Sequence, residues 1–124
     1  MMNLNLLCRI NGVWVMLNGI SAIVMPDMWF NMAGLEASTA AYAAASGLGV
    51  AAFSLGLISW RTVDIAGDAI SSYGKLFGIA HSLFLLLALY QMATGLFAGP
   101  PAYMQIITSL ILALGFFYYS RKSE

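Results

Sequence analysis

The sequence predicts an all-α integral membrane protein, a four-helix bundle whose two termini both face the cytoplasm. Three observations support this fold class. Of the 124 residues, 61% are hydrophobic and only 8% are charged, whereas a soluble domain carries about 25% charged residues. The apolar residues form four long stretches, and all the basic residues lie on one side of the topology that four crossings produce. The chain therefore has too few charges to cover a surface exposed to water.

Each apolar stretch is long enough to cross a bilayer. Spanning ~30 Å of hydrocarbon takes about 20 apolar residues in a helix, and the bilayer offers unpaired backbone groups no water, so each stretch should be helical. Pro26 should end the first helix, and Gly99 with the two prolines after it should end the third. We expect one transmembrane domain, residues 1–124, with helices at about 6–25, 38–60, 74–98 and 102–119.

The distribution of basic residues predicts the orientation. Four crossings place the N-terminus, the loop between the second and third helices, and the C-terminus on one side. All five basic residues fall on that side: Arg9, Arg61, Lys75, Arg121 and Lys122. Short loops rich in Lys and Arg stay on the cytoplasmic side, so we expect a multi-pass protein of the cell membrane with both termini inside. The connecting segment, residues 61–72, is compatible with a short interfacial helix or with a solvated loop.

Small residues predict where the helices pack. Lipid tails are as apolar as leucine, so close approach of small residues and interhelical hydrogen bonds must hold membrane helices together. Small residues recur at four-residue spacing in the second and third helices, and these two helices should contact each other through Gly49, Gly56, Gly74 and Gly78. The alternative, a hinge or ligand cleft at these glycines, is the less common use of such a pattern.

The sequence offers few residues for chemistry. The predicted membrane interior contains no Asp or Glu, which disfavours a proton-driven carrier, because ion coupling needs a titratable group there. One cysteine, Cys8, excludes an intrachain disulfide and a CxxC pair. One histidine, His81, excludes bis-histidine haem ligation within the chain and leaves a zinc site without partners. We therefore predict no catalytic residue, no metal and no cofactor.

Two polar groups inside the bilayer remain as candidate sites. Counting 1.5 Å per residue along each helix, the side chains of Arg9, Ser59, His81 and Tyr118 reach similar depths near the cytoplasmic face and form a candidate ligand-binding cluster. A histidine in a bundle is also a common structural hydrogen-bond donor. Deeper in the bilayer, Asn18 and Gln91 are predicted to pair across two helices.

The order of features resembles the DoxX-like group of small four-helix membrane proteins. The resemblance covers the whole chain and rests on the segment 17–20 (Leu-Asn-Gly-Ile) followed by Pro26, on the glycine-rich segment 46–56 of the second helix, and on Gly78 near the start of the third. It implies a four-helix membrane fold and a role as a partner of other membrane proteins, and it transfers no catalytic residue.

Three functions are compatible with these observations. The first is a non-catalytic accessory or assembly partner of another membrane protein, which fits the lack of reactive groups. The second is a binder or enzyme for an apolar molecule such as a quinone, sterol or lipid, with its polar head near His81. The third, a channel or carrier formed by oligomers, needs a continuous polar stripe that the sequence lacks. The expected partners are the bilayer and another membrane protein or a second copy; a net charge of zero argues against nucleic acid.

Overall fold

The computed structural model describes residues 2–124, and the regular structure in that range is helical. The helices are α1 (Leu4–Val24), α2 (Pro26–Ala33), α3 (Thr39–Ile65), α4 (Ile70–Ala93) and α5 (Pro100–Lys122), and one turn of 3-10 helix (Gly67–Ala69) joins α3 to α4. All of the α-helices except α2 are long and apolar enough to cross a membrane. The predicted all-helical chain with four candidate membrane spans is confirmed.

Helix boundaries differ most from the predicted ones at three connections between helices. Pro26 ends α1 but also begins α2, because proline suits the first helical position, where its missing N–H is not needed. Residues 61–72 form neither a separate interfacial helix nor a loop, since α3 continues to Ile65 and the break is one turn with Gly67 at φ +53°. Finally, α4 ends at Ala93, and Gly95 at φ +75° follows it.

The four long helices form two antiparallel pairs, α1 with α3 and α4 with α5. Glycines bring the first pair into backbone contact. A Cβ added to Gly12 would lie 2.8 Å from the carbonyl oxygen of Gly56, and one added to Gly19 would lie 2.5 Å from that of Gly49. Such an approach provides the van der Waals packing that associates helices where the hydrophobic effect cannot.

The prediction that α3 and α4 pack on each other through their glycines is wrong. Gly49 and Gly56 face α1, whereas Gly74 and Gly78 face α5, and at Gly78 the ring of Phe117 would lie 3.0 Å from an added Cβ. The helices α3 and α4 meet only weakly, near the turn that joins them. Small residues make a helix suitable for close packing, but they do not specify which of several helices will occupy that face.

Side chains of α1 and α5 join the two pairs. Leu4, Leu7 and Cys8 of α1 pack with Leu112 and Phe116 of α5, and all five are buried. In contrast, α3 and α4 expose most of their length. Many large apolar side chains are exposed, and several are more than half exposed, including Leu17, Leu48, Leu83 and Ile111. A surface of this kind suits lipid, since it offers hydrocarbon and few polar groups.

Candidate functional site

A chain of hydrogen bonds crosses the centre of the bundle. Nε2 of His81 on α4 lies 2.7 Å from Oδ1 of Asn11 on α1. The amide nitrogen of Asn11 donates to Oγ of Ser59 on α3, at 2.9 Å, and Ser59 in turn donates to the carbonyl oxygen of Cys8, at 2.8 Å. Because the Asn11 oxygen can only accept, the His81 Nε2 carries the proton in this arrangement. One side chain from each of three helices thus takes part in a single series of hydrogen bonds.

Packing holds the members of this chain in place. Asn11 and Ser59 are buried, and the imidazole of His81 stacks on the ring of Phe116, with centroids 5.9 Å apart and planes inclined by 8°. Phe116 has no exposed surface. Its ring also contacts Phe77 at a centroid distance of 5.4 Å. The fourth long helix, α5, therefore fixes the imidazole orientation through an aromatic contact.

An ion pair joins α1 to α3 near the end of the bundle that carries both termini. Nη2 of Arg9 lies 2.7 Å from Oδ1 of Asp64, and Nη1 donates to the carbonyl oxygen of Trp60 at 2.6 Å. The guanidinium also lies 4.6 Å from the centroid of the Trp60 ring, a distance at which a cation is attracted to the ring face. Arg61 lies 3.7 Å from the same carboxylate, so two guanidinium groups share one Asp64.

The predicted cluster of four polar residues is only partly assembled. Ser59 and His81 are brought together, but through Asn11. Arg9 donates instead to Asp64 and to the carbonyl oxygen of Trp60. Tyr118 is 58% exposed and packs edge-on against Tyr119, so it does not join the other three. The prediction was based on equal depth in the bilayer. Depth does not determine the direction in which a side chain points from its helix.

The predicted Asn18–Gln91 pair does not form among residues 2–124. The amide nitrogen of Asn18 donates to the carbonyl oxygen of Trp14, within α1, at 2.8 Å. The helices α1 and α4 contact each other over a limited length, and no hydrogen bond of the Gln91 side chain occurs in this part of the chain. The hydrogen bonds among Asn11, Ser59 and His81 supply the interhelical polar contact instead.

The sequence contained a signal for Asn11 that the prediction did not use. Counted from Leu6, Asn11 lies about 7 Å into its helix at 1.5 Å per residue, the same depth as His81 counted from Leu76. Asp64 was assigned to the connecting segment, because α3 was expected to end at 60. The extra turn of α3 places Asp64 one turn beyond Trp60 and within reach of Arg9.

The chemistry available to this site is limited. Each polar side chain of the network has a partner, and within residues 2–124 the one buried side-chain oxygen or nitrogen without a hydrogen bond is Oγ of Ser120, which lies against Gly74. Three or more His, Cys, Asp or Glu side chains do not gather anywhere in that range. Two surface grooves, one beside Arg61 and Tyr73 and one beside Trp14 and Trp29, are lined by neither Arg9 nor His81.

These features define a multi-pass α-helical membrane protein held together by glycine contacts and one buried polar network. Comparison with protein-family models, curated proteins and solved structures finds no match to this chain. The resemblance to DoxX-like proteins therefore rests on the sequence features alone.

Proposed function

We propose that this chain is a non-catalytic accessory or assembly partner of another membrane protein, located in the cell membrane with both termini in the cytoplasm. The observation that carries the proposal is the face of α3 turned away from α1. Five small residues, spaced alternately four and three apart, lie along it, and all are exposed: Ala40, Ala44, Gly47, Ala51 and Ser54. We refer to these five residues as the small-residue face.

Contact with lipid alone does not explain why this face carries small residues. Gly47 lies inside a helix, where glycine costs about 1 kcal/mol relative to alanine, and nothing lies within 4 Å of the position its Cβ would occupy. Nearby lipid-facing positions carry large side chains, such as Leu48 and Val50. Alternate spacing of four and three residues is typical of the contact face in a left-handed pair of helices. Small residues on such a face allow the backbones of the two helices to approach closely.

The opposite face of α3 supports the same interpretation. There, Gly49 and Gly56 bring α3 into backbone contact with α1. The small-residue face has the same kind of side chains, and at Gly47 none of residues 2–124 packs against it. A helix of another membrane protein, or of a second copy, would fill it in the way that α1 fills the first.

The polar network supports a non-catalytic role. His81 and Asn11 bond to each other, and Ser59 bonds to Asn11 and to the backbone. The alternative, a binder or enzyme for an apolar molecule, needs an opening beside His81 or Arg9, and neither surface groove is lined by them. The orientation rests on the basic residues, all five of which belong to the end of the bundle that carries both termini, where they favour the cytoplasmic side.

The test is photo-cross-linking in the native membrane. A photoreactive amino acid at Gly47 should capture one defined membrane protein, identified by mass spectrometry, whereas the same group at Leu48 should capture lipid. The Cβ of a leucine at position 47 would meet open space, so Gly47→Leu should leave the bundle folded. Because the larger side chain would keep a partner helix away, the same substitution should abolish capture by a photoreactive group placed at Ala51. Leu48→Ala is the matched control and should retain it. Capture of lipid alone at both positions, or unchanged capture in Gly47→Leu, would overturn the proposal.

A further inference from the structure

A shallow groove lies where α3 ends and α4 begins, at the end of the bundle that carries both termini. That end is defined by Leu4 and Ser120, whose side chains meet at Gly74 of α4. The groove has apolar walls, which include Leu57, Ile58 and Ile65 of α3. Three polar side chains line the same groove, Arg61 and Thr62 of α3 and Tyr73 of α4. The Thr62 hydroxyl already donates to the carbonyl oxygen of Ile58. The apolar walls of the groove suit the acyl chains of a phospholipid. Its polar groups, at the level of the membrane surface, suit the headgroup.

The cation in this groove is incompletely neutralised. Nε of Arg61 lies 3.7 Å from Oδ2 of Asp64, but the carboxylate of Asp64 is held more closely by Arg9, at 2.7 Å. Two guanidinium groups therefore share one negative charge. The side chain of Arg61 is 57% exposed, and within residues 2–124 neither its terminal nitrogens nor the hydroxyl of Tyr73 form a hydrogen bond. Both side chains keep free donors.

Other charged groups at this end are either paired or placed elsewhere. Lys75 and Glu124 form an ion pair with each other. Asp68 lies on the 3-10 turn after α3 and does not line the groove, and Arg121 and Lys122 belong to the last turn of α5. The groove itself contains one cation and no carboxylate, so its charge is complementary to an anion.

We infer that this groove binds one anionic phospholipid from the leaflet at the end carrying both termini. The phosphate oxygens accept hydrogen bonds from the Arg61 guanidinium, whose planar donors fit a phosphate, and from the Tyr73 hydroxyl. The acyl chains extend into the bilayer along Leu57 and Ile58. A zwitterionic lipid of equal chain length gains the same apolar contacts, but its own cation offsets the attraction to Arg61. The groove should therefore select lipids by headgroup charge.

Native mass spectrometry of the purified protein tests this inference without any partner protein, so its result is independent of the function proposed above. The protein is mixed with equal amounts of phosphatidylglycerol and phosphatidylcholine that carry identical acyl chains. Wild-type protein should retain phosphatidylglycerol about fivefold in excess, the factor expected for one basic residue at a membrane surface. Arg61→Gln should bring the ratio close to one. Tyr73→Phe removes a hydrogen bond to the phosphate that both lipids carry, so it should lower the amount of each lipid retained about threefold and leave their ratio unchanged.

Lys122→Gln is the matched control, because it removes a basic residue at the same end that does not line the groove; it should keep the wild-type ratio. An equal loss in Lys122→Gln and Arg61→Gln would show diffuse attraction and overturn the site, as would a wild-type ratio of one. Excess soluble glycerol phosphate should not displace the lipid, and displacement would reassign the groove to a soluble anion. Tyr73→Phe preserves the ring packing, so unchanged retention of both lipids in that variant would also contradict the proposed geometry.

Discussion

Replacing Gly56 with alanine should weaken the contact between α1 and α3, whereas the same replacement at Gly47 should not. Both glycines lie within α3, and alanine improves helix propensity equally at each, by about 1 kcal/mol. At Gly47 the added methyl group meets nothing within 4 Å. At Gly56 it would lie 2.7 Å from the carbonyl oxygen of Gly12 and from the amide nitrogen of Met16, which are backbone atoms and cannot rotate away.

The magnitude follows from these distances. Ordinary contacts of a Cβ begin at 3.4 Å, so α1 and α3 must separate locally by about 0.7 Å, and overpacking of this kind costs about 1–3 kcal/mol. Asn11, one residue before Gly12, and Ser59, three residues after Gly56, are joined across the same interface by a 2.9 Å hydrogen bond. The same separation would stretch that bond to about 3.6 Å, beyond hydrogen-bonding distance. Because the helix-propensity gain is common to both variants, the difference between them measures the cost of this local separation, about 1–3 kcal/mol.

The chain contains a reporter for this measurement. Cys8 is the only cysteine, and its side chain is fully buried between α1 and α5. A thiol-reactive fluorophore added to the protein in detergent should label Cys8 only when the bundle opens, so labelling during a temperature ramp reports unfolding. Gly47→Ala should open at or above the wild-type temperature, and Gly56→Ala clearly below it. Identical transitions for the two alanine variants would refute backbone contact between α1 and α3 at this position.

Two further predictions concern the polar network and the topology. His81→Gln should keep most of the stability, because an amide can still donate to Oδ1 of Asn11, whereas His81→Leu should lose about 0.6–2 kcal/mol in the same thermal assay; equal transitions would contradict a structural role for this bond. For the topology, Glu36→Cys and Ser123→Cys, each combined with Cys8→Ala, should react with an impermeant thiol reagent from opposite sides of the membrane, with Glu36→Cys labelled from outside. Labelling of both from one side would contradict a four-crossing chain, and labelling of Ser123→Cys from outside would reverse its orientation.

The residues at the candidate site show where sequence reasoning stops. Ser59 and His81 were expected in one cluster, and they belong to one hydrogen-bonded chain because their depths match. Tyr118 has a similar depth but faces outward. Asn11, which joins Ser59 to His81, has the depth that the prediction required. Depth follows from position along a helix, but the rotation of a helix about its axis depends on what it packs against.

The short helix α2 illustrates a different limit. Pro26 was expected to end a helix, and it does, yet it is also the first of eight residues that form another one. Proline interrupts the hydrogen bonds of a preceding helix and is equally suited to start a new one. The side chain of Trp29 then donates to Oγ of Ser21, at 2.9 Å, which attaches α2 to α1. That contact joins two helices across the break between them, so the local helix propensity of either segment does not predict it.

The sequence by itself determined that the chain is helical and has four candidate membrane spans. This follows because each span must satisfy its own backbone and reach across the hydrocarbon, and both requirements act within one segment. Only the tertiary structure decided that α1 pairs with α3 and α4 with α5, and that Asn11 connects three helices. Small residues occur on opposite faces of α3, and any of them can approach a neighbouring helix. The choice among partners depends on the joint packing of all four helices, which no single segment encodes.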